Sequence, residues 1–227
     1  MNASTPPDRP SEGVVFLHGI SRSFRSLIKL QQAVDKAGFA TRNIGYPSRD
    51  KPLSALVDDI HPAIAPFTEA NDSATHFVCH SMGGLLARAY IARYRPARLG
   101  RVVMLGTPNG GSEVADTLKD WLLYRLYFGP AGQQLVTARD ADTETLLPAV
   151  DYPVGIIAGN RSLDPITSRF MLPGDNDGRV TVARTKLDNM ADHIVIPASH
   201  AVMMKNKEAI AQTISFLKNG RFNSSGG

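Results

Sequence analysis

The chain contains one cysteine, Cys79, in 227 residues. A lone thiol excludes an internal disulfide and any zinc site built on cysteines, and it leaves the redox compartment open. Long apolar runs are also missing. The apolar residues come in short runs broken by turn residues, far from the ~20 consecutive residues a membrane-crossing helix needs. The opening "MNASTPPDRPSEG" has no apolar stretch of the signal-peptide kind. A cytoplasmic location is therefore expected from the chain as given, with secretion left open if a leader had been removed. Lys and Arg number 25 against 21 acids, a formal charge of +4, and no basic block stands out. Such a balance reads as a solvated surface and argues against a nucleic-acid partner. There is no Gly-x-x-x-x-Gly-Lys loop to cradle a nucleotide phosphate. Nor is "DNDG" a calcium loop, since setting Gly178 at the loop's sixth place puts Pro173 at the first and Arg184 at the twelfth. No metal and no cofactor are expected.

What is present is alternation. At 43% hydrophobic residues the chain has enough apolar material for one sizeable core, so residues 1–227 are expected to form a single domain. Residues 1–12 and 221–227 are expected to be flexible. "GVVFLHGI" is a continuous apolar run closing in His-Gly, the pattern of a strand buried on both faces. A helix follows with Leu27, Leu30 and Val34 on one face and Gly38 as its stop. "TRNIGYP" reads as a strand, and "LSALVDDIHPAIAPF" as a helix that Pro62 and Pro66 are expected to kink or shorten. "THFVCH", "MGGLLARAYIARY" and "GRVVMLGTP" then read as strand, helix and strand. This order predicts an α/β fold with a mostly parallel sheet covered by helices on both faces. The alternation lapses at 112–150, a stretch rich in apolar side chains from Trp121 to Phe128. That stretch is expected to be a small helical cap; the competing reading is a core helix that is apolar on more than one face. "YPVGIIAG" resumes the sheet, "VTVARTKL" and "HIVIPAS" read as further extended segments, and the last helix ends at Gly220.

Chemistry concentrates where strands end. In an open parallel sheet the loops at the carboxyl ends of the strands hold the reactive groups. "CHSMGG" places Ser81 at a strand-to-helix turn with small neighbours, the setting of a Gly-x-Ser-x-Gly elbow in which Cys79 stands at the first glycine's place. The bland reading makes Ser81 a helix N-cap. A serine nucleophile needs a base and an acid to orient it. Of six histidines, His200 follows the last strand on the loop before the final helix, and is the base expected to reach the serine turn. For the acid, Asp177 in "GDNDGRV" is preferred and Asp164 in "GNRSLDP" is its rival. His18 reads as a structural residue of the first turn, and Cys79 as a small packing residue rather than a nucleophile.

The ordered set "FLHGI", "CHSMGG", "LGTPNGGS", "NDGRV" and "ASH" resembles the serine esterases and lipases of the α/β-hydrolase fold, in particular small bacterial lipases of the PGAP1-like and LipA types. The resemblance runs from about Val14 to Leu217. It implies Ser81 as nucleophile, His200 as base and Asp177 as its partner, with an oxyanion hole formed by the backbone N–H groups of Ile20 and Met82. It also implies a carboxylic-ester hydrolase acting on small-molecule aliphatic or lipid esters through an acyl-serine. A thioesterase, amidase or acyltransferase using the same residues is the nearest alternative, and a non-catalytic binding protein of this fold a more distant one. Trp121 and Phe128 are expected to line an acyl pocket beneath the cap. The oligomeric state is not readable.

Overall fold

A computed structural model describes residues 11–163, 168 and 170–223. The strands are β1 (Gly13–Leu17), β2 (Ala40–Ile44), β3 (Thr75–His80), β4 (Leu99–Leu105), β5 (Val154–Gly159) and β6 (Asp192–Ile196). They form one sheet in the order β2-β1-β3-β4-β5-β6, and every neighbouring pair is parallel. β1, β3 and β5 are buried along their whole length, which is why β1 and β5 are continuous apolar runs, while β3 is apolar from Phe77 to Cys79 between the buried polar residues Thr75, His76 and His80.

Helices α1 (Ile28–Lys36), α2 (Leu53–Glu69) and α3 (Met82–Tyr94) belong to the crossovers, α4 (Glu113–Leu118), α5 (Leu122–Gln133) and α6 (Ala141–Leu146) lie between β4 and β5, and α7 (Lys207–Asn219) closes the chain. Two apolar clusters cover the two sheet faces. One packs α2 and α3 against Val15, Leu17, Phe77 and Val102; the other packs α1 and α7 against Val14, Phe16, Val78 and Val103. The alternation Val14, Phe16 against Val15, Leu17 is the period-two side-chain rule dividing one strand between two layers.

Three expectations need correction. α2 runs unbroken through Pro62 and Pro66. Both prolines lie on the exposed face, opposite Leu53, Leu56, Val57, Ile60 and Ile64, so the carbonyls they leave unpaired are turned towards water. "VTVARTKL" is not extended: Val182–Thr185 is a single helical turn, and only an isolated antiparallel bridge between Asn176 and Thr181 precedes it. Its β-branched residues find no neighbouring strand, so propensity alone does not make one. Residues 221–223 are held rather than loose: Phe222 packs against Phe216 at 5.1 Å and Asn223 donates its N–H to Gln212 at 2.9 Å. The rest of that tail and residues 1–10 lie outside the described residues, as does Asp164.

Candidate active site

The strand order reverses direction between β1 and β3, because β2 lies on one side of β1 and the later strands on the other. Loops leaving neighbouring strands at such a point diverge and open a crevice. The His18-Gly19-Ile20 turn leaves β1 there, and Ser81 leaves β3 beside it.

Ser81 has φ 55° and ψ −129° and makes no side-chain capping bond, so it is not an ordinary N-cap. A positive φ is costly for a residue with a side chain and persists only when the surroundings fix it. Here they do. The Ser81 N–H donates to Leu105 O at 2.9 Å, and its carbonyl accepts from the Thr107 hydroxyl at 3.0 Å and the Gly84 N–H at 3.0 Å. Gly83 is required by contact: a Cβ there would stand 2.7 Å from the His18 carbonyl oxygen, so the first turn of α3 can lie against the end of β1 only without a side chain.

His200 Nε2 lies 2.9 Å from Ser81 Oγ, and His200 Nδ1 lies 2.7 Å from Asp177 Oδ2. The other carboxylate oxygen of Asp177 accepts from the N–H groups of Arg179 at 2.9 Å and Val180 at 2.8 Å. Its backbone carbonyl accepts the His200 N–H at 2.9 Å, so the acid is fixed to its own loop and to the histidine's loop at once. Asp177 is 2% exposed, which keeps the carboxylate's charge directed at the imidazole rather than at solvent. The structure thus brings the side chains of Ser81, His200 and Asp177 together in one hydrogen-bonded line.

Ile20 lines the cleft in front of Ser81, and Met82 opens α3 immediately behind it. Among the described residues neither backbone N–H finds an acceptor, in keeping with donors left free for a ligand. His18 is buried, stacks on Tyr46 with ring centroids 4.0 Å apart and takes a hydrogen bond between its Nδ1 and the Gly19 carbonyl at 2.9 Å. Burial lowers its pKa, so it is a neutral brace of the first turn. Burial raises the Cys79 thiol, which packs in the core away from the cleft.

Two further residues build this site without having been singled out in the sequence. Gly106 has φ +58°, and a Cβ on it would fall 3.0 Å from Asp177 Oδ2 and 3.1 Å from His200 Nδ1. It is the space in which the acid and base meet, and its only signal is a glycine directly after an apolar strand. His80 donates its Nε2–H to the His200 carbonyl at 3.0 Å, which ties the serine strand to the histidine loop. Burial, followed by the nearby His200 ring, holds His80 well below the usual histidine range, consistent with a neutral donor.

The cleft in front of Ser81 encloses about 360 Å³. Tyr124 and Phe128 of α5 line it, together with Val114, Ala115 and Leu135. Trp121 does not; it lines two adjoining depressions, one of them beside His200. The core-helix reading of 121–128 does not hold, because Trp121, Leu122, Leu123 and Leu126 are each more than 60% exposed. The wider 112–150 stretch is anchored further along, at 139–148. Buried Arg88 donates to the carbonyls of Leu147 at 2.6 Å and Pro148 at 2.9 Å, and Arg139 donates to those of Pro108 and Asn109, both at 2.8 Å. Among the described residues no group of His, Cys, Asp and Glu side chains could hold a metal ion. No described helix is long and apolar enough to cross a membrane.

An all-parallel sheet with a strained serine after β3, bonded to a histidine after the last strand, is an α/β-hydrolase arrangement. The solved structures agree on the fold. The mature lipase BlEst2 of Bacillus licheniformis superposes with a TM-score of 0.72 over 96% of both chains at 18% identity. The metagenomic carboxyl esterase MGS0156 gives 0.69 over 86% of this chain and 66% of its own at 20% identity. In sequence, residues 13–141 match the family model for palmitoyl protein thioesterase, more than half of the chain. The chain belongs to that family of hydrolases. The lysosomal thioesterase PPT2 of Rattus norvegicus is 27% identical over 146 residues, covering 58% of this chain and 48% of the relative. The Homo sapiens protein is 26% identical with the same coverage, so the chain spans about half the length of these curated relatives.

Proposed function

We propose that this protein hydrolyses esters of apolar acyl chains through an acyl-Ser81 intermediate. The observation that carries the reading is the continuous hydrogen-bonded line from Ser81 Oγ through both nitrogens of His200 to Asp177. With a proton on Nδ1 facing the carboxylate, the Nε2 lone pair is left to accept the serine proton. Ser81 Oγ then bonds to the acyl carbon and its proton moves to Nε2. The carbonyl oxygen becomes negative, facing the N–H groups of Ile20 and Met82; such donors are worth ~3 to 4 kcal/mol each when lost from other enzymes. Collapse expels the alcohol, which takes the proton from Nε2. Water repeats the sequence in reverse and frees the serine. The 112–150 segment acts as the cap, its Tyr124 and Phe128 forming the apolar wall on which the acyl chain lies.

A thioester is the second reading, supported by the family model and by the name of the curated relatives. The same residues serve it, since a thiolate leaves more readily than an alkoxide and the acyl half is unchanged. The test pairs octanoyl esters of 4-nitrophenol and of an alkyl thiol, with Ser81→Ala alongside. Hydrolysis of either that falls by at least ~10³-fold in Ser81→Ala supports the mechanism, and the substrate with the larger rate enhancement over its own uncatalysed hydrolysis decides between the readings. A fluorophosphonate probe adds a mass to wild type at Ser81. If the probe labels nothing and neither substrate is cleaved, the proposal is wrong.

A further inference from the structure

The cleft in front of Ser81 is lined by two arginines, Arg22 and Arg179, and by no acid. Both are exposed at its rim. Among the described residues no hydrogen bond or ion pair engages either guanidinium, whereas Arg184 pairs with Glu113 at 3.1 Å, Arg93 with Asp58 at 3.2 Å and Arg95 with Asp151 at 2.7 Å. Arginine is the side chain best suited to planar anions, because its fork of donors matches a carboxylate or phosphate. Arg22 also shares a shallow outer recess with Arg49 and Asp50, which leaves that side of the rim positive by one charge.

The two arginines are not equivalent. Arg179 lines the Ser81 cleft and also the adjoining depression that runs past His200, Asp177 and Gly178. That depression shares Arg179 and His200 with the cleft, but Tyr124, Phe128 and Leu135 do not line it. A leaving group must stay within reach of His200 to receive its proton, while an acyl chain seeks the apolar wall. The Arg179 backbone is itself fixed by the acid, since its N–H donates to Asp177 Oδ1 at 2.9 Å and its carbonyl accepts from Ser112 Oγ at 2.8 Å. Its side chain therefore starts from a rigid point beside the reacting atoms.

We infer that the substrate carries a carboxylate or phosphate on the alcohol or thiol side of the scissile bond, received by Arg179 with Arg22 closing the rim. This rests on the hydrolase reading and narrows it to anionic leaving groups. Specificity in this arrangement comes from charge at the rim and not from extra contacts to the acyl chain. Rim charges act mainly on encounter and are screened by salt, with a Debye length of ~10 Å at 0.1 M and ~3 Å at 1 M.

The experiment uses the full chain and three chromogenic esters: octanoyl 4-nitrophenol, octanoyl 3-hydroxy-4-nitrobenzoate with a carboxylate on the leaving group, and the 4-nitrophenyl monoester of suberate with a carboxylate on the acyl end. The readout is the ratio of kcat/KM between charged and neutral esters. Wild type prefers the leaving-group carboxylate at low salt, and the preference shrinks as salt is added. Arg179→Gln lowers that ratio by about two- to fivefold, the size of an exposed ion pair, Arg179→Lys retains most of it and Arg179→Glu inverts it. Binding of the two octanoyl esters to Ser81→Ala, followed by calorimetry, gives the same order without turnover. An unchanged ratio in Arg179→Glu overturns the inference, as does an Arg179-dependent preference for the suberate ester. Absence of turnover in wild type strikes at the hydrolase reading alone, and the binding arm then judges the anion site.

Discussion

Replacing Asp177 with Asn separates the acid's two structural tasks. In the wild type one carboxylate oxygen faces His200 Nδ1 at 2.7 Å, and the other accepts from the N–H groups of Arg179 and Val180 at 2.9 and 2.8 Å. Asn can keep the second set with its amide oxygen. It then presents an NH₂ group to Nδ1, which must accept rather than donate, and the imidazole proton moves to Nε2. A protonated Nε2 cannot accept the proton of Ser81. In a serine protease the same change costs ~10⁴ in kcat, ~5.5 kcal/mol of barrier. Asp177→Asn should therefore lose ~10³- to 10⁴-fold in kcat for octanoyl 4-nitrophenol while its urea unfolding midpoint stays close to that of wild type. Asp177→Ala should lose activity and stability together, because it orphans two backbone donors, each worth ~1 to 3 kcal/mol where buried. Activity of Asp177→Asn within tenfold of wild type would refute the assignment, and a larger loss in Asp164→Asn measured alongside would move the role there.

Gly106→Ala should reduce activity by more than tenfold, since it forces a side chain into φ +58° and against both Asp177 Oδ2 and His200 Nδ1; a variant of wild-type rate would show that this contact is idle. Gly83→Ala should lower stability by ~1 to 3 kcal/mol or more, seen as a fall in Tm of ~2 to 4 °C per kcal/mol, because the new methyl group meets backbone and not a yielding side chain. Folding stability should decline as pH falls below about 6.5. His18, His76 and His80 all have lowered pKa values through burial, so the unfolded chain takes up protons that the folded chain refuses, each contributing at most ~1.4 kcal/mol per pH unit. Above that range all three are neutral in both states and the effect vanishes; unfolding midpoints equal at pH 7 and pH 5 would contradict it. Phe128→Ala should shift the preferred acyl length more than Trp121→Ala does, since only Phe128 lines the Ser81 cleft, and equal shifts would place Trp121 in the acyl path after all.

Strand and helix alternation, the serine elbow and the final histidine were legible because each is local. A buried parallel strand must be continuously apolar, a helix must repeat its apolar face, and a sharp strand-to-helix turn must be made of small residues. Sequence by itself therefore determined the α/β class, pointed to Ser81 and His200 as the candidate nucleophile and base, and narrowed the candidate acid to a short set led by Asp177. It could not determine the course of 180–187, because β-branched residues form a strand only where another strand offers hydrogen bonds. Nor could it distinguish a cap from a core helix in 121–128, since hydropathy is the same whether an apolar side chain meets protein or solvent. Tertiary structure decided the first and excluded the core helix in the second, and it alone revealed the roles of Gly106, His80 and the arginine rim. Their roles rest on distances between segments far apart in the chain: Gly106 meets Asp177 and His200, His80 reaches across to the His200 carbonyl, and Arg22 shares a cleft with Arg179. A glycine's missing Cβ or an arginine's missing partner has meaning only once the fold has set what stands beside it.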